Sequence, residues 1–282
     1  MAKTTTMIKK FSIITINYNN SQGLRQTIES VINQDFKDFE FLIVDGNSND
    51  GSKEIIQTYA DRLTNFVSEA DNGIYHAMNK GIRMATGRYL LFLNSGDTLI
   101  DNNVLKQVND AINGNTDLYY GDILFQEPTK TKRLTSPEKL TFDFFFTENL
   151  PHQASFIRRG LFDEIFNYNE DLKIVSDWEF LIYAVCKANI SYKHLPIIVS
   201  LYDGNGISSN SDNYKMMYAE RDLVLKKHFQ AFIEDYEKIS LLKQRRVKQF
   251  LTIKQHPIAW ETLKVFMKII LWFIPNKKEA ND

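Results

Sequence analysis

One cysteine, Cys186, is the whole thiol content of the 282 residues. No intrachain disulfide can form, and a reducing compartment suits such a chain. An excess of one charge is also missing: 34 Lys and Arg stand against 35 Asp and Glu, a formal net charge of −1. Nucleic-acid binders tend to be strongly basic, so the balance argues against nucleic acid as the main partner, though not against a local basic patch. No stretch reaches the ~20 apolar residues of a spanning helix. The run Phe11–Ile16 after Lys9 and Lys10 is too short for a signal-peptide core, and no small-residue cleavage site follows, so it reads as a buried strand. Internal repeats and low-complexity linkers are absent too. The hydrophobic share of 43% and charged share of 24% are those of an ordinary globular chain with a packed core. A domain takes about 100–200 residues, which leaves one large domain with an appendage, or two small ones.

The first half alternates two periodicities. Strands are expected at Phe11–Ile16, Phe39–Val44, Leu63–Val67 and Tyr89–Leu93. Between them, helices are expected at Gly23–Asn33 (through Leu24, Ile28, Val31 and Ile32), Ser52–Tyr59 and Gly73–Ala85, with Gly87 closing the last. This order implies an α/β fold, a Rossmann-like, mostly parallel central sheet flanked by helices. Further on, Leu118–Phe125, Gln153–Ile157 and Tyr192–Leu201 read as strands, 127–137 as a polar turn region and Asp177–Ala188 as a helix. The expected domain is 1–212, with halves at about 8–125 and 126–212. Residues 213–282 form a basic, helical C-terminal extension. Its last helix, Pro257–Ile274, carries Glu261, Lys264 and Lys268 on one narrow stripe and is apolar nearly everywhere else.

Ligands of open parallel sheets bind at the strands' carboxyl ends, near the switch in strand order. Here those ends are Asn17, then Asp45 with Gly46 and Ser48, then Asn94-Ser95-Gly96-Asp97, three polar clusters on one rim. Ordinary turn chemistry competes as an explanation for each. Asp97 could hold Mg²⁺ or Mn²⁺, which commonly use one or two protein carboxylates while a diphosphate supplies other oxygens. Such an ion offsets charge on a departing diphosphate. Asp177 lies in Ser176-Asp177-Trp178-Glu179-Phe180. Ser176 is expected to cap the following helix, and an acidic residue suits a first turn for dipole reasons alone. An ionised Asp at a pocket mouth is equally able to deprotonate an attacking hydroxyl. Pro151-His152-Gln153 opens a strand and offers either a contact to substrate or a histidine simply hydrogen-bonded in a loop. The loop Asp203-Gly204-Asn205-Gly206-Ile207-Ser208 either folds over a nucleotide or is only a turn.

Together these residues resemble the family 2 inverting glycosyltransferases of the GT-A fold, in particular bacterial members that build surface polysaccharides. The matching segments are 13–19, Val44-Asp45-Gly46-Asn47-Ser48-Asn49-Asp50-Gly51-Ser52, Glu69-Ala70-Asp71-Asn72-Gly73 continuing to Gly81, Ala85–Tyr89, and Asn94–Asp97, within roughly residues 10–208. The resemblance implies a nucleotide-diphosphate-sugar site at Thr15, Asn17, Asp45, Ser48, Asp50, Asp71, Asn79 and Asn94. It implies an acceptor or sugar pocket at His152, Gln153 and Trp178, Mn²⁺ or Mg²⁺ on Asp97, the final Asp of an Asp-X-Asp motif, and the catalytic base at Asp177. The loop from Asp203 resembles a Gly-rich segment near the donor. Three positions depart from the pattern: Asn94 stands where many relatives have the first Asp, Ser176 where Glu often precedes the base, and His76 where Asp is frequent.

The expected reaction is inverting transfer of a sugar onto a saccharide or lipid-linked saccharide acceptor. The expected location is cytoplasmic. The last helix is too short and too charged to span, and suits lying in an interface at the inner membrane face, or packing on the catalytic domain or on a second subunit of a homodimer. Two other readings stay open. A degenerate sugar-nucleotide or carbohydrate-binding protein would explain Asn94 and Ser176. A nucleotidyltransferase would need an early Gly-rich loop with Arg, where this chain has Asn17-Tyr18-Asn19-Asn20 and a lone Gly23.

Overall fold

A computed structural model describes residues 9–126, 130–204, 206, 210–241 and 244–274. The β-branched run that opens the chain forms β1 (Phe11–Asn17), buried at all seven positions. Such a strand needs cover on both faces. The cover comes from α1 (Ser21–Ile32), α2 (Ser52–Thr58) and α3 (Ile74–Met84), alternating with β2 (Phe39–Asp45), β3 (Asn65–Ser68) and β4 (Tyr89–Phe92). The Asn20 side chain caps α1 by accepting the Gly23 N–H, so the helix starts earlier than its apolar periodicity indicates. Helix α1 buries Leu24, Thr27, Ile28, Val31 and Ile32. Of these, Leu24, Ile28, Val31 and Ile32 join Phe11, Ile13, Phe41 and Leu91 in one core. Each fully buried side chain of this size contributes roughly 1.5–3 kcal/mol. On the opposite face, α3 approaches β1 so closely that a Cβ on Gly81 would lie 2.4 Å from Ile14 Cγ2.

The later elements are β5 (Thr98–Leu99), α4 (Val104–Ala111), β6 (Leu118–Gln126), β7 (Thr131–Leu134), α5 (Phe142–Thr147), β8 (Ser155–Arg158), α6 (Leu161–Glu164), α7 (Ser176–Cys186) and β9 (Tyr192–Asp203). The sheet order is β3-β2-β1-β4-β8-β6-β9-β5, with β7 on β6. Pairings β1–β2, β1–β4, β2–β3 and β6–β9 are parallel, and β4–β8, β6–β8, β6–β7 and β5–β9 antiparallel. The sheet is therefore mixed: the expected parallel order holds in the first half, and antiparallel strands complete it. Because β2 lies on one side of β1 and β4 on the other, strand order reverses at β1, and the crevice there opens between Asn17 and the turn after β4.

Two sequence expectations shift here. His152–Ala154 is a 3₁₀ turn, and the strand begins only at Ser155. Ser176 does not cap α7: Val175 is the cap residue and makes no side-chain cap bond, while the Ser176 hydroxyl accepts the Asn169 N–H at 2.5 Å. The serine is spent on closing the preceding loop. Helix α7 then buries Trp178, Phe180, Leu181 and Ile182, with Phe180 stacked on Phe162 at 4.4 Å.

Compactness divides the chain after Asp222, against the boundary expected at 212. The break falls within α8 (Tyr214–Leu241), whose helical geometry is interrupted at Phe229. In the second unit α9 (Arg245–Lys254) is followed by α10 (Pro257–Trp272), with Pro257 in the first turn, where it suits a helix start. Phe250 and Trp260 meet edge to face at 5.4 Å, and Glu261 pairs with Lys264 at 2.6 Å. No helix among the described residues is long and apolar enough to cross a membrane.

Candidate active site

The tips of β1 and β2 carry a closed hydrogen-bond cluster. Asp45 is fully buried. Its carboxylate accepts from Ser48 Oγ (2.5 Å), Ser68 Oγ (2.6 Å), Asn17 Nδ2 (2.8 Å) and the Ser48 N–H (3.0 Å). Burial works to raise its pKa, but these donors override it and hold the carboxyl below the usual range. Asp50 accepts the Ser21 N–H at 2.7 Å and the Ser52 N–H and hydroxyl at 3.1 and 2.6 Å, tying the starts of α1 and α2 together. Thr15 is buried and donates to the Leu93 carbonyl at 2.8 Å, so it fixes β1 to the residue after β4. Asn17 keeps one opening: its buried Oδ1 has no hydrogen-bond partner.

Beyond β4 the chain turns through Asn94–Asp97, the Asp97 N–H reaching back to the Asn94 carbonyl at 2.9 Å. Gly96 sits at φ 107°, and a Cβ there would come 2.9 Å from Asp203 Oδ2. A side chain at 96 would thus push Asp203 away from Asp97. Asp97 is buried and accepts the Asp203 N–H at 3.0 Å. Burial, aided by the charge of Asp203, pushes its carboxyl up to about 6 against the opposing pull of His152 and Gln153.

Asp177 faces this turn through one histidine. His152 Nδ1 lies 3.2 Å from Asp177 Oδ2, and its Nε2 lies 3.2 Å from the Asn94 amide nitrogen. Tyr75 donates its hydroxyl to Asp177 Oδ1 at 2.9 Å. Burial opposes ionisation of Asp177, but His152, Tyr75 and the Trp178 N–H outweigh it and depress its pKa. Burial likewise opposes charge on His152, and Asp177 and then Asp97 reverse the balance and raise it.

The structure thus brings Asn94, Asp97, His152, Gln153 and Asp177 together, with Asn17, Asp45 and Ser48 on the adjoining strand tips. Asn79 and Trp178 point elsewhere, and Asp71 stays on the rim. Asn79 is buried, its amide divided among the Tyr168 backbone and Glu170. Asp71 pairs through Oδ1 with Lys80 at 2.6 Å, beside His76 at 3.6 Å, while its Oδ2 lies so near Gly46 that a Cβ there would come within 3.1 Å of it. Trp178 is 1% exposed and donates its indole N–H to the Phe145 carbonyl, so it supports the pocket from behind and offers substrate no surface. Residues 205, 207 and 208 of the loop after β9 lie outside the described residues. An open cleft of about 780 Å³ lies along Phe66, Glu69, His76 and Lys80, and none of Asp97, His152 or Asp177 lines it. Tyr75 escaped the sequence reading, because nothing local marks a helix tyrosine as a partner of a carboxylate 102 residues away.

Among the described residues, no group of three or more His, Cys, Asp or Glu converges as a metal cage. The oxygens present are Asp97, its neighbour Asp203 and the unpartnered Asn94 Oδ1. That set fits a hard divalent cation that takes its remaining ligands from a diphosphate.

Comparison with known proteins places this geometry. The family model "Glycosyl transferase family 2" matches residues 12–166. A PGL/p-HBAD biosynthesis glycosyltransferase of Mycobacterium bovis is 32% identical over 207 residues, covering 71% of this chain and 79% of that protein. The putative teichuronic acid biosynthesis glycosyltransferase TuaG of Bacillus subtilis is 31% identical over 138 residues, covering 47% of this chain and 55% of TuaG. Among solved structures, S. aureus TarS 1–349 in complex with UDP-GlcNAc superposes with a TM-score of 0.61 at 21% identity, covering 85% of this chain and 77% of that one. The chain spans 43% of the longer TarS structure. The mannosyltransferase PcManGT of Pyrobaculum calidifontis, in complex with GDP-Man and Mn²⁺, gives 0.57 at 16% identity, covering 81% and 65%. The fold is that of the GT-A glycosyltransferases.

Proposed function

The chain belongs to glycosyl transferase family 2, and from that premise we propose that it transfers one sugar, with inversion, from a nucleotide diphosphate to an acceptor hydroxyl during synthesis of a bacterial surface glycan. The observation that carries this reading is the linkage Asn94–His152–Asp177 beside Asp97, which sets an ionised carboxylate opposite the turn at the strand-order switch. Asn17 and the segment from Asp45 to Asp50 hold the base and ribose, and Asn94 and Asp97 face the diphosphate. The acceptor oxygen attacks the anomeric carbon from the face opposite the diphosphate. The bond from that carbon to the diphosphate oxygen breaks, and the acceptor's proton passes to Asp177. A carboxylate held below its usual pKa is a weak base, so proton transfer accompanies C–O bond formation, as the acceptor oxygen becomes acidic. Asp97, with Asn94 and Asp203, would hold Mn²⁺ or Mg²⁺, which would offset the charge of the departing diphosphate.

A thermal-shift screen of sugar nucleotides with and without Mn²⁺ or Mg²⁺ tests the donor site, because a ligand that binds only the folded state raises its stability. Slow hydrolysis of the stabilising donor without acceptor separates an enzyme from a protein that only binds. No stabilisation by any sugar nucleotide overturns the reading.

A second observation bears on location. On α10 and just after it, Ile258 is 87% exposed, Trp272 72% and Phe273 70%. Arg245, Arg246, Lys248 and Lys254 on α9 and Lys264 and Lys268 on α10 accompany them. Apolar bulk with cations suits the interface of an anionic bilayer, at the cytoplasmic face. Deleting 257–282 is expected to release the protein from anionic liposomes. Equal sedimentation of both forms removes this assignment, and loss of a dimer on deletion gives the face to a second copy instead.

A further inference from the structure

Helix α8 starts beside the candidate base and is fastened on either side of it. The Glu220 carboxylate accepts the N–H groups of Lys173 (2.7 Å) and Ile174 (3.0 Å), just ahead of Asp177. The next residue, Arg221, lies over the Trp178 ring at 4.9 Å, just after Asp177. Trp178 cannot give way, since its N–H is anchored on the Phe145 carbonyl at 2.8 Å.

Arg221 is the unexplained group. Among the described residues it has no carboxylate partner, and its hydrogen bond to the Glu148 carbonyl is long, 3.5 Å. Its Nε is shielded from solvent and has no partner. Burial works against its charge, eased by Tyr218, Asp177 and Glu148 nearby. An Nε–H shielded from solvent and left without an acceptor is costly, and an incoming anion would supply that acceptor. Tyr214, Tyr218 and Arg221 stand at i, i+4 and i+7, which places them on one face of α8. The two tyrosines remain 44% and 62% exposed. An exposed aromatic pair can stack on a sugar ring, and a guanidinium fork matches a carboxylate or phosphate.

We propose that this face of α8 is the acceptor subsite, and that the acceptor is an anionic saccharide whose carboxylate or phosphate pairs with Arg221 near the attacking hydroxyl. The proposal rests on the transferase reading with Asp177 as base. If Arg221 served packing alone, methionine would replace it, and the site would not distinguish a charged sugar from a neutral one.

The test titrates the full chain with paired probes: methyl glucuronide against methyl glucoside, and glycerol 3-phosphate against glycerol. The wild type is expected to bind one charged probe at least about tenfold more tightly than its neutral twin, as one charge-assisted pair provides. Which charged probe wins separates carboxylate from phosphate. Arg221→Met abolishes the preference, Arg221→Lys keeps part of it, and Tyr218→Ala weakens both members of a pair alike. A nucleotide-induced thermal shift, retained in each variant, reports an intact fold. Equal binding of charged and neutral twins by the wild type, or a preference that survives Arg221→Met, overturns the proposal. Absence of any sugar-nucleotide shift in the wild type overturns the transferase reading instead, so the two failures are distinct.

Discussion

Two aspartates at neighbouring strand tips are equally hidden and oppositely treated. Asp45, on the β1–β2 side, receives hydrogen bonds from Asn17, Ser48 and Ser68 and is held ionised. Asp97, after β4, receives the Asp203 N–H and a Gln153 contact, lies beside a second carboxylate, and is pushed up to about 6. The first region is saturated except at Asn17 Oδ1 and shapes a loop. The second, around Asp97, His152 and Asp177, holds Asn94 Oδ1 and adjoins Arg221 Nε, two shielded atoms without partners. Buried polar groups are normally satisfied, so a cluster of unmet demands marks where a ligand completes the structure.

The largest effect should separate the two regions by rate. Asp177→Asn is expected to lower transfer by about 10²–10⁴-fold, the usual contribution of a general base, while the donor-induced thermal shift persists. Near-normal turnover would remove Asp177 as the base. Next, Asp45→Ala strands the donors of Ser48, Ser68 and Asn17 and should cost about 3 kcal/mol in denaturant unfolding. Because the Asp45 pKa is depressed in the fold, its contribution is present above the ordinary carboxylate range and disappears as pH falls through the depressed value. A variant that unfolds with the wild type would show that the saturated cluster is not structural.

Asp97→Asn should act in the opposite direction. The folded pKa, about 6, lies above the ordinary 3.8. The carboxyl therefore favours folding only while protonated, and that contribution is lost as pH rises through 6. Removing the charge should stabilise the ligand-free protein at pH 8 by on the order of 2–3 kcal/mol and change little at pH 4. Donor binding should fall in the same variant. Destabilisation at pH 8 would put Asp97 in the same class as Asp45.

The saturated region was the more legible in the sequence. Its strands are contiguous apolar runs, and its polar residues follow them within a few positions, so strand, tip and turn are all local. The starved region is assembled across distance: residues 94, 97, 152 and 177 meet only because β8 inserts beside β4. There strand ends and local sequence singled out Asp97, His152 and Asp177 and left each with a plainer alternative, the resemblance to a family favoured the functional one, and periodicity did not bring them together. Strand β5 is two residues long and is defined by its pairing with β9, so no run of sequence could announce it. Ser176 has the residue type of a cap and closes a loop instead, and Trp178 has that of a sugar platform and is buried. In both cases a tertiary partner, Asn169 or Phe145, decided the role. Arg221 looked like one more cation of a basic extension, since only its place over Trp178 sets it apart.

The smallest predicted effect refines the boundary between the regions. Asp50 was grouped with the donor-binding residues, yet its carboxylate oxygens already accept the N–H groups of Ser21 and Ser52 at the starts of α1 and α2. A side chain employed this way acts like a cap shared by two helix starts, and losing such acceptors to alanine costs about 1 kcal/mol. Asp50→Ala should lose about that much stability and weaken donor binding modestly, because the loop from Asp45 loses its far anchor. Asp50→Asn keeps one acceptor oxygen and should lose less of each. If Asp50→Asn instead melts like the wild type while its donor affinity falls tenfold or more, the carboxylate touches the donor directly, and the saturated side of the rim takes part in binding as well as in holding the loop that binds.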